Sequence, residues 1–129
     1  MKISELATKT RVPAKTIRYY ETAGLLSTPL REANGYRCYS TDDIDTLIFI
    51  RRCRELNIPI DEIKQLVAVQ RKPEASCDTV DNIIAEQLAR VRQTQQELAQ
   101  LEQALAMLAT SCSHKQVQNC AILQSLKAD

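Results

Sequence analysis

Thr10-Arg11-Val12-Pro13-Ala14-Lys15-Thr16-Ile17-Arg18-Tyr19-Tyr20-Glu21 joins a break in the chain to a helix. Proline has no backbone N–H and a preset φ, so Pro13 suits the first turn of the helix it opens. That helix should stop near Gly24, a residue at ease in the left-handed region. On the near side of the break, Ile3, Leu6 and Ala7 form a helical stripe with Ser4 as its expected N-cap. Two short helices around a tight turn are a helix-turn-helix, and its second helix presents Lys15, Thr16, Arg18 and Tyr19. Cations reach phosphates or guanine edges, and tyrosine offers a hydroxyl to a phosphate. Taken alone, the segment reads equally well as a basic amphipathic helix with a solvated face.

The next stretch of chain favours DNA. Residues 29–39 hold two short extended stretches around Asn34-Gly35, a strong hairpin signal. A hairpin bearing Arg31, Tyr36 and Arg37 directly after a helix-turn-helix is a wing. Ser40 or Thr41, with Asp42 and Asp43 behind it, opens a further helix. Its stripe is Ile44, Leu47, Ile48 and Ile50, and it ends at Arg51, Arg52 and Arg54. After Asn57-Ile58-Pro59 another helix should turn Ile60, Ile63, Leu66 and Val67 inward.

These segments carry a resemblance. Ile3-Ser4-Glu5-Leu6-Ala7, Thr16-Ile17-Arg18-Tyr19-Tyr20-Glu21, Gly24-Leu25-Leu26, Asn34-Gly35-Tyr36-Arg37 and Tyr39 resemble the DNA-binding domain of the MerR family. So do Ile50-Arg51-Arg52-Cys53-Arg54-Glu55-Leu56 and Ile60-Asp61-Glu62-Ile63-Lys64-Gln65-Leu66. The resemblance implies a mainly α chain: a winged helix-turn-helix, a long dimerisation helix and a homodimer on double-stranded promoter DNA. It further implies that the dimer works with RNA polymerase, underwinding an over-long promoter spacer when activated. Distorting a duplex costs several kcal/mol, so an inducer can act by shifting which conformation the bound dimer prefers.

Charge and composition agree with this division. Residues 1–72 carry 13 Lys/Arg against 9 Asp/Glu, and residues 73–129 carry 4 against 7. A basic reader joined to an acidic module fits a nucleic-acid regulator. One Phe and no Trp in 129 residues argue against a large self-contained core, and 2 Gly with 4 Pro favour long helices. No segment approaches the ~20 apolar residues of a membrane span, and the first residues lack a signal-peptide apolar stretch. A cytoplasmic location is expected. There, five cysteines point to metal binding, thiolate chemistry or burial more than to disulfides.

From Ser76 to Ser111 there is neither Gly nor Pro. Every seventh residue gives Cys77, Ile84, Val91, Leu98, Leu105 and Cys112, with Val80, Gln87, Thr94, Leu101 and Leu108 three further on. This is a coiled-coil seam, imperfect at Gln87 and Thr94 and closed by cysteine at both ends. The two cysteines lie about 52 Å apart along an intact helix, too far to share an ion within one chain. An antiparallel pair would set Cys77 of one chain near Cys112 of the other, whereas a parallel pair would set Cys77 against its own copy. The pattern does not choose; the family resemblance favours antiparallel. The expected parts are a reader at 1–72, a coiled-coil helix at 73–111 and a metal-binding loop and helix at 112–129.

After Cys112, residues 113–119 form a loop, and Cys120 opens a short amphipathic helix, a position that favours the thiolate. The segment resembles the metal loop of the family's metal sensors, whose ligand positions fall on Cys77, Cys112 and Cys120. Three thiolates suit a soft divalent ion. The surroundings of Cys77 and Cys120 look most like the cadmium- and lead-responsive branch, which places Cd2+ or Pb2+ ahead of Zn2+ and Hg2+. Zinc would take a fourth ligand; His114 is near enough in sequence, although a solvated loop residue is the plainer reading. For Cys38 and Cys53, packing is the expectation. A thiol redox-sensing regulator is the main alternative. A drug sensor of the family would need more chain after Cys120. An enzyme with a cysteine nucleophile and His114 as base lacks a third orienting group.

Overall fold

A computed structural model describes residues 1–27, 30–33, 35, 37–111 and 116–128, with the backbone alone at Leu30. The chain divides into two compact units, Met1–Gln87 and Leu88–Asp129. Among the described residues no helix is long and apolar enough to cross a membrane.

In the first unit, α1 (Ile3–Thr10) and α2 (Ala14–Thr22) flank a turn at Arg11, which is left-handed at φ 59. The turn is stitched by Thr10, whose fully buried hydroxyl donates to Leu6 O at 2.8 Å and accepts from Val12 N at 3.3 Å. Lys2, not Ser4, is the N-cap of α1. The first helical bond runs from Leu6 N to Lys2 O at 3.0 Å, and Ile3, already in the helix, packs against the core. Pro13 is the N-cap of α2, and Gly24 at φ 84 turns the chain after it while Leu25 N closes onto Tyr20 O at 2.9 Å.

The hairpin is β1 (Leu30–Arg31) against β2 (Arg37–Cys38), antiparallel, pairing Leu30 with Cys38 and Arg31 with Arg37. Between the strands Gly35 N is bonded to Glu32 O at 2.9 Å. Asn34 lies outside the described residues. Ser40 caps α3 (Thr41–Glu55), its backbone N–H donating to Asp43 Oδ2 at 2.9 Å in a capping box. Pro59 caps α4 (Ile60–Gln70).

The core joins Leu6, Ile17, Leu47, Ile50, Ile58 and Ile63, all essentially inaccessible, with Tyr20, Tyr39 and Cys53 around them. α1 packs on α2 and α3, and α3 on α4. The long helix α5 (Asp78–Ser111) adds Ile83 to this core, with Val80 packed alongside. In the second unit α5 runs on to Ser111, and a short 3-10 turn (Val117–Asn119) leads into α6 (Ala121–Lys127), for which Cys120 is the N-cap.

Candidate DNA-reading and metal-sensing sites

Burial of Ile17 and Tyr20 on the inner side of α2 leaves Lys15, Arg18 and Tyr19 on the outer one. Thr16 is half-buried, and the Tyr19 and Tyr20 rings meet at 5.9 Å, tilted by 51°. Arg18 does not stand alone. Lys2, Ile3, Ser4, Arg18, Arg31, Gly35 and Arg37 line one groove of about 380 Å³. Four cations and no acid among the described residues of its walls make a seat for an anion such as a backbone phosphate. The tertiary fold thus gathers Arg18, Arg31 and Arg37 from α2 and the two strands. Lys2 had no signal in the sequence, because a lone lysine ahead of a helix belongs to no motif. Lys15 and Tyr19 stand outside the groove on the exposed face. Tyr36 lies outside the described residues.

Arg31 Nη1 donates to Gly35 O at 3.1 Å, holding the wing loop in shape. Arg37 Nε lies 3.6 Å from Glu21 Oε2, and Tyr39 Oη donates to the other carboxylate oxygen of Glu21. Glu21, at the end of the reading helix, therefore holds both β2 and the residue after it. Its side chain is only 9% exposed. Burial, and then the bond to Glu21, push the Tyr39 phenol up to about 12. Burial also raises Tyr20.

Substituting Ala for Arg18 is expected to weaken binding to all duplexes alike and to lower the log–log salt slope by about 1. A loss confined to one sequence, at unchanged slope, would place Arg18 on a base edge and not a phosphate.

The cysteines differ in setting. Cys53 is 7% exposed within the core, and burial raises its thiol. Cys38 is half-buried on β2. Cys77 is exposed just ahead of α5, its carbonyl accepting from Asp81 N at 2.8 Å. Cys120 is half-buried at the start of α6, its carbonyl accepting from Gln124 N at 3.2 Å. Cys77 belongs to the first unit and Cys120 to the second. Cys112 and His114 lie outside the described residues. Among the described residues no three metal-ligating side chains converge.

The α5 seam also reads differently in three dimensions. Gln87, a flaw in the heptad pattern, is 9% exposed, and its amide donates to Leu56 O at 2.9 Å and Asn57 O at 3.1 Å. Ile84, Val91, Leu98, Leu101 and Leu105 are instead exposed along the helix.

Comparison with known proteins adds family relationships. Residues 1–70 match the model of the MerR HTH family regulatory proteins, and residues 44–108 match that of the MerR DNA-binding region. The mercuric resistance operon regulatory protein of Bacillus cereus is 35% identical over 126 residues, covering 97% of this chain and 96% of its own. The transcriptional regulator CueR of Vibrio cholerae is 34% identical over 127 residues, covering 98% and 91%. The transcription regulator PbrR691 of Ralstonia metallidurans, solved in complex with lead(II), superposes with a TM-score of 0.90 at 38% identity over 98% of each chain.

Proposed function

The chain belongs to the MerR family of helix-turn-helix regulatory proteins, DNA-binding regulators and not enzymes, and on that basis we propose that it is a metal-sensing regulator acting as a homodimer on promoter DNA in the cytoplasm. Residues 1–72 read the duplex, 73–111 pair two copies, and 112–129 close over the ion. The groove of Lys2, Arg18, Arg31 and Arg37 seats the phosphate backbone. The row Ile84, Val91, Leu98, Leu101 and Leu105 supports pairing, because a single chain leaves it in water. With two copies antiparallel, Cys77 of one chain and Cys112 and Cys120 of the other make a shared three-thiolate site. Cd2+ or Pb2+ is the favoured inducer, with Zn2+ or Hg2+ next. Binding would bias the dimer toward the form that distorts DNA for RNA polymerase and activates a metal-resistance or efflux gene.

The observation that carries the metal half is the setting of the cysteines. Cys53 is spent in the core, whereas Cys77 is exposed at one helix start and Cys120 stands at another. Cysteine sulfur in such settings suits a soft ion. Replacing Cys77 with Ser and following promoter response to Cd, Pb, Zn and Hg tests the reading. Loss of response to the physiological metal, with DNA binding retained, is expected. Undiminished induction by all four would overturn the shared site.

A further inference from the structure

The last carbonyls of an α-helix have no partner inside it and must find one elsewhere. At the end of α3 the chain turns through Leu56 and Asn57, the latter left-handed at φ 60. Leu56 O and Asn57 O both accept from one donor, Gln87 Nε2, at 2.9 and 3.1 Å. Arg54 Nη1 braces the same corner by donating to Ile58 O at 2.9 Å. Ile83, in the first turns of α5, lies in the core, with Val80 packed alongside. Apolar contact is non-directional and tolerates small slides and rotations, whereas a pair of bonds from one amide holds a defined distance and angle. Gln87 therefore fixes the first turns of α5 against the α3–α4 corner.

That corner leads to the reading helix. α3 packs on α1, and α1 on α2, through side chains that are almost wholly buried. A close-packed core transmits displacement more readily than it absorbs it. Cys77, just ahead of α5, sits about three turns before Gln87 on the same helical path. We propose that Gln87 is the positioning residue through which the state of α5 is imposed on the DNA-reading unit. The proposal rests on the metal-sensing reading above. Gln87 is neither one of the proposed metal ligands nor a residue of the cationic groove; it acts by making the placement of the first turns of α5 and that of α3 one variable. Coupling between two sites needs such a shared two-state element.

The test uses the full-length homodimer with Gln87→Met, which keeps length and removes the donor, and Gln87→Leu, which removes the donor with a branched apolar side chain. Cadmium and lead binding are followed by thiolate–metal absorbance, promoter affinity by titration without metal, and transcription with and without metal. Both variants are expected to bind metal and promoter within about 2-fold of the parent, while the ratio of metal-loaded to metal-free transcription falls at least ~5-fold. A ratio kept within about 2-fold in either folded variant overturns the proposal. So does a lowered melting temperature with the ratio intact, the mark of a merely structural residue. If the unmodified dimer itself neither binds nor answers these metals, the metal-sensing reading fails instead, and the two failures are told apart.

Discussion

Glu21→Ala is expected to destabilise the first unit by about 2–3 kcal/mol and to weaken promoter binding roughly tenfold, one factor of ten being ~1.4 kcal/mol. Removal of the carboxylate leaves the Tyr39 hydroxyl without the acceptor it uses, and Tyr39 is only 5% exposed. A buried donor left unsatisfied costs ~1–3 kcal/mol. The pairing with Arg37 at 3.6 Å adds less than ~1 kcal/mol, because that side chain is a third exposed and water screens it. The hydrogen bond thus outweighs the ion pair. Glu21→Gln separates them, keeping an acceptor for Tyr39 while deleting the charge, and should lose much less. Equal losses in the two variants, measured by urea unfolding, would refute this ordering. DNA binding follows the same logic, because β2 and Arg37 are held to the reading helix through this carboxylate.

Alkaline pH offers a second view of the same contact. Folded Tyr39 keeps its proton to about 12, whereas an unfolded tyrosine releases it near 10.0. Its contribution is therefore complete below pH 10.0 and is lost as pH rises through about 12. Within that window stability falls by up to ~1.4 kcal/mol per pH unit from this group. Burial is the larger cause and the Glu21 bond the next, so Glu21→Ala should narrow the window without abolishing it.

Leu47→Ala is expected to be the most damaging single change, lowering stability by ~2–5 kcal/mol through lost burial and an unfilled cavity. Leu47 is fully enclosed in the middle of α3, in the core shared by α1, α3 and α4. Small domains hold only about 5–15 kcal/mol in total, and each kcal/mol moves the melting point of a unit this size by ~4–8 °C. A fall of at least roughly 10 °C, with DNA binding lost at the temperature where the unit melts, is the expected reading. Leu56→Ala is the control. The same residue type at 61% exposure in the same unit should shift stability by less than ~0.5 kcal/mol. If the two substitutions prove alike, the core is misplaced.

Much of the reader was legible because local rules and tertiary demands agree there. Pro13 and Gly24 bound α2, Ser40 with Asp43 opens α3, and Ile60, Ile63, Leu66 and Val67 turn inward along α4. Local preference failed at Ser4, a good cap by residue type: the helix starts after Lys2, with Ile3 in its first turn packed on the core. Cys53 followed the expectation of packing, since Ile50 and Leu56 flank it and the Ile50 side is enclosed.

The long helix marks where a one-dimensional pattern stops being informative. Period alone found α5 from its lack of Gly and Pro and its sevenfold repeat, and it marked Gln87 as a defect. A repeat records which positions share a face, but not what that face meets. In the fold Gln87 answers two orphan carbonyls at the end of α3, and Ile83, outside the repeat, enters the core beside Val80, which belongs to it.

Element order, the helix-turn-helix with its hairpin and the long helix were readable from the chain alone, since each follows from residue type at short spacing, and the family was readable by resemblance. Three-dimensional packing was needed to bring Lys2 together with Arg18, Arg31 and Arg37 around one groove, to tie the reading helix through Glu21 to Arg37 and Tyr39, and to set Gln87 against the α3–α4 corner. These contacts join residues far apart along the chain, and their partners are set by how whole helices pack, which no local pattern of side chains encodes.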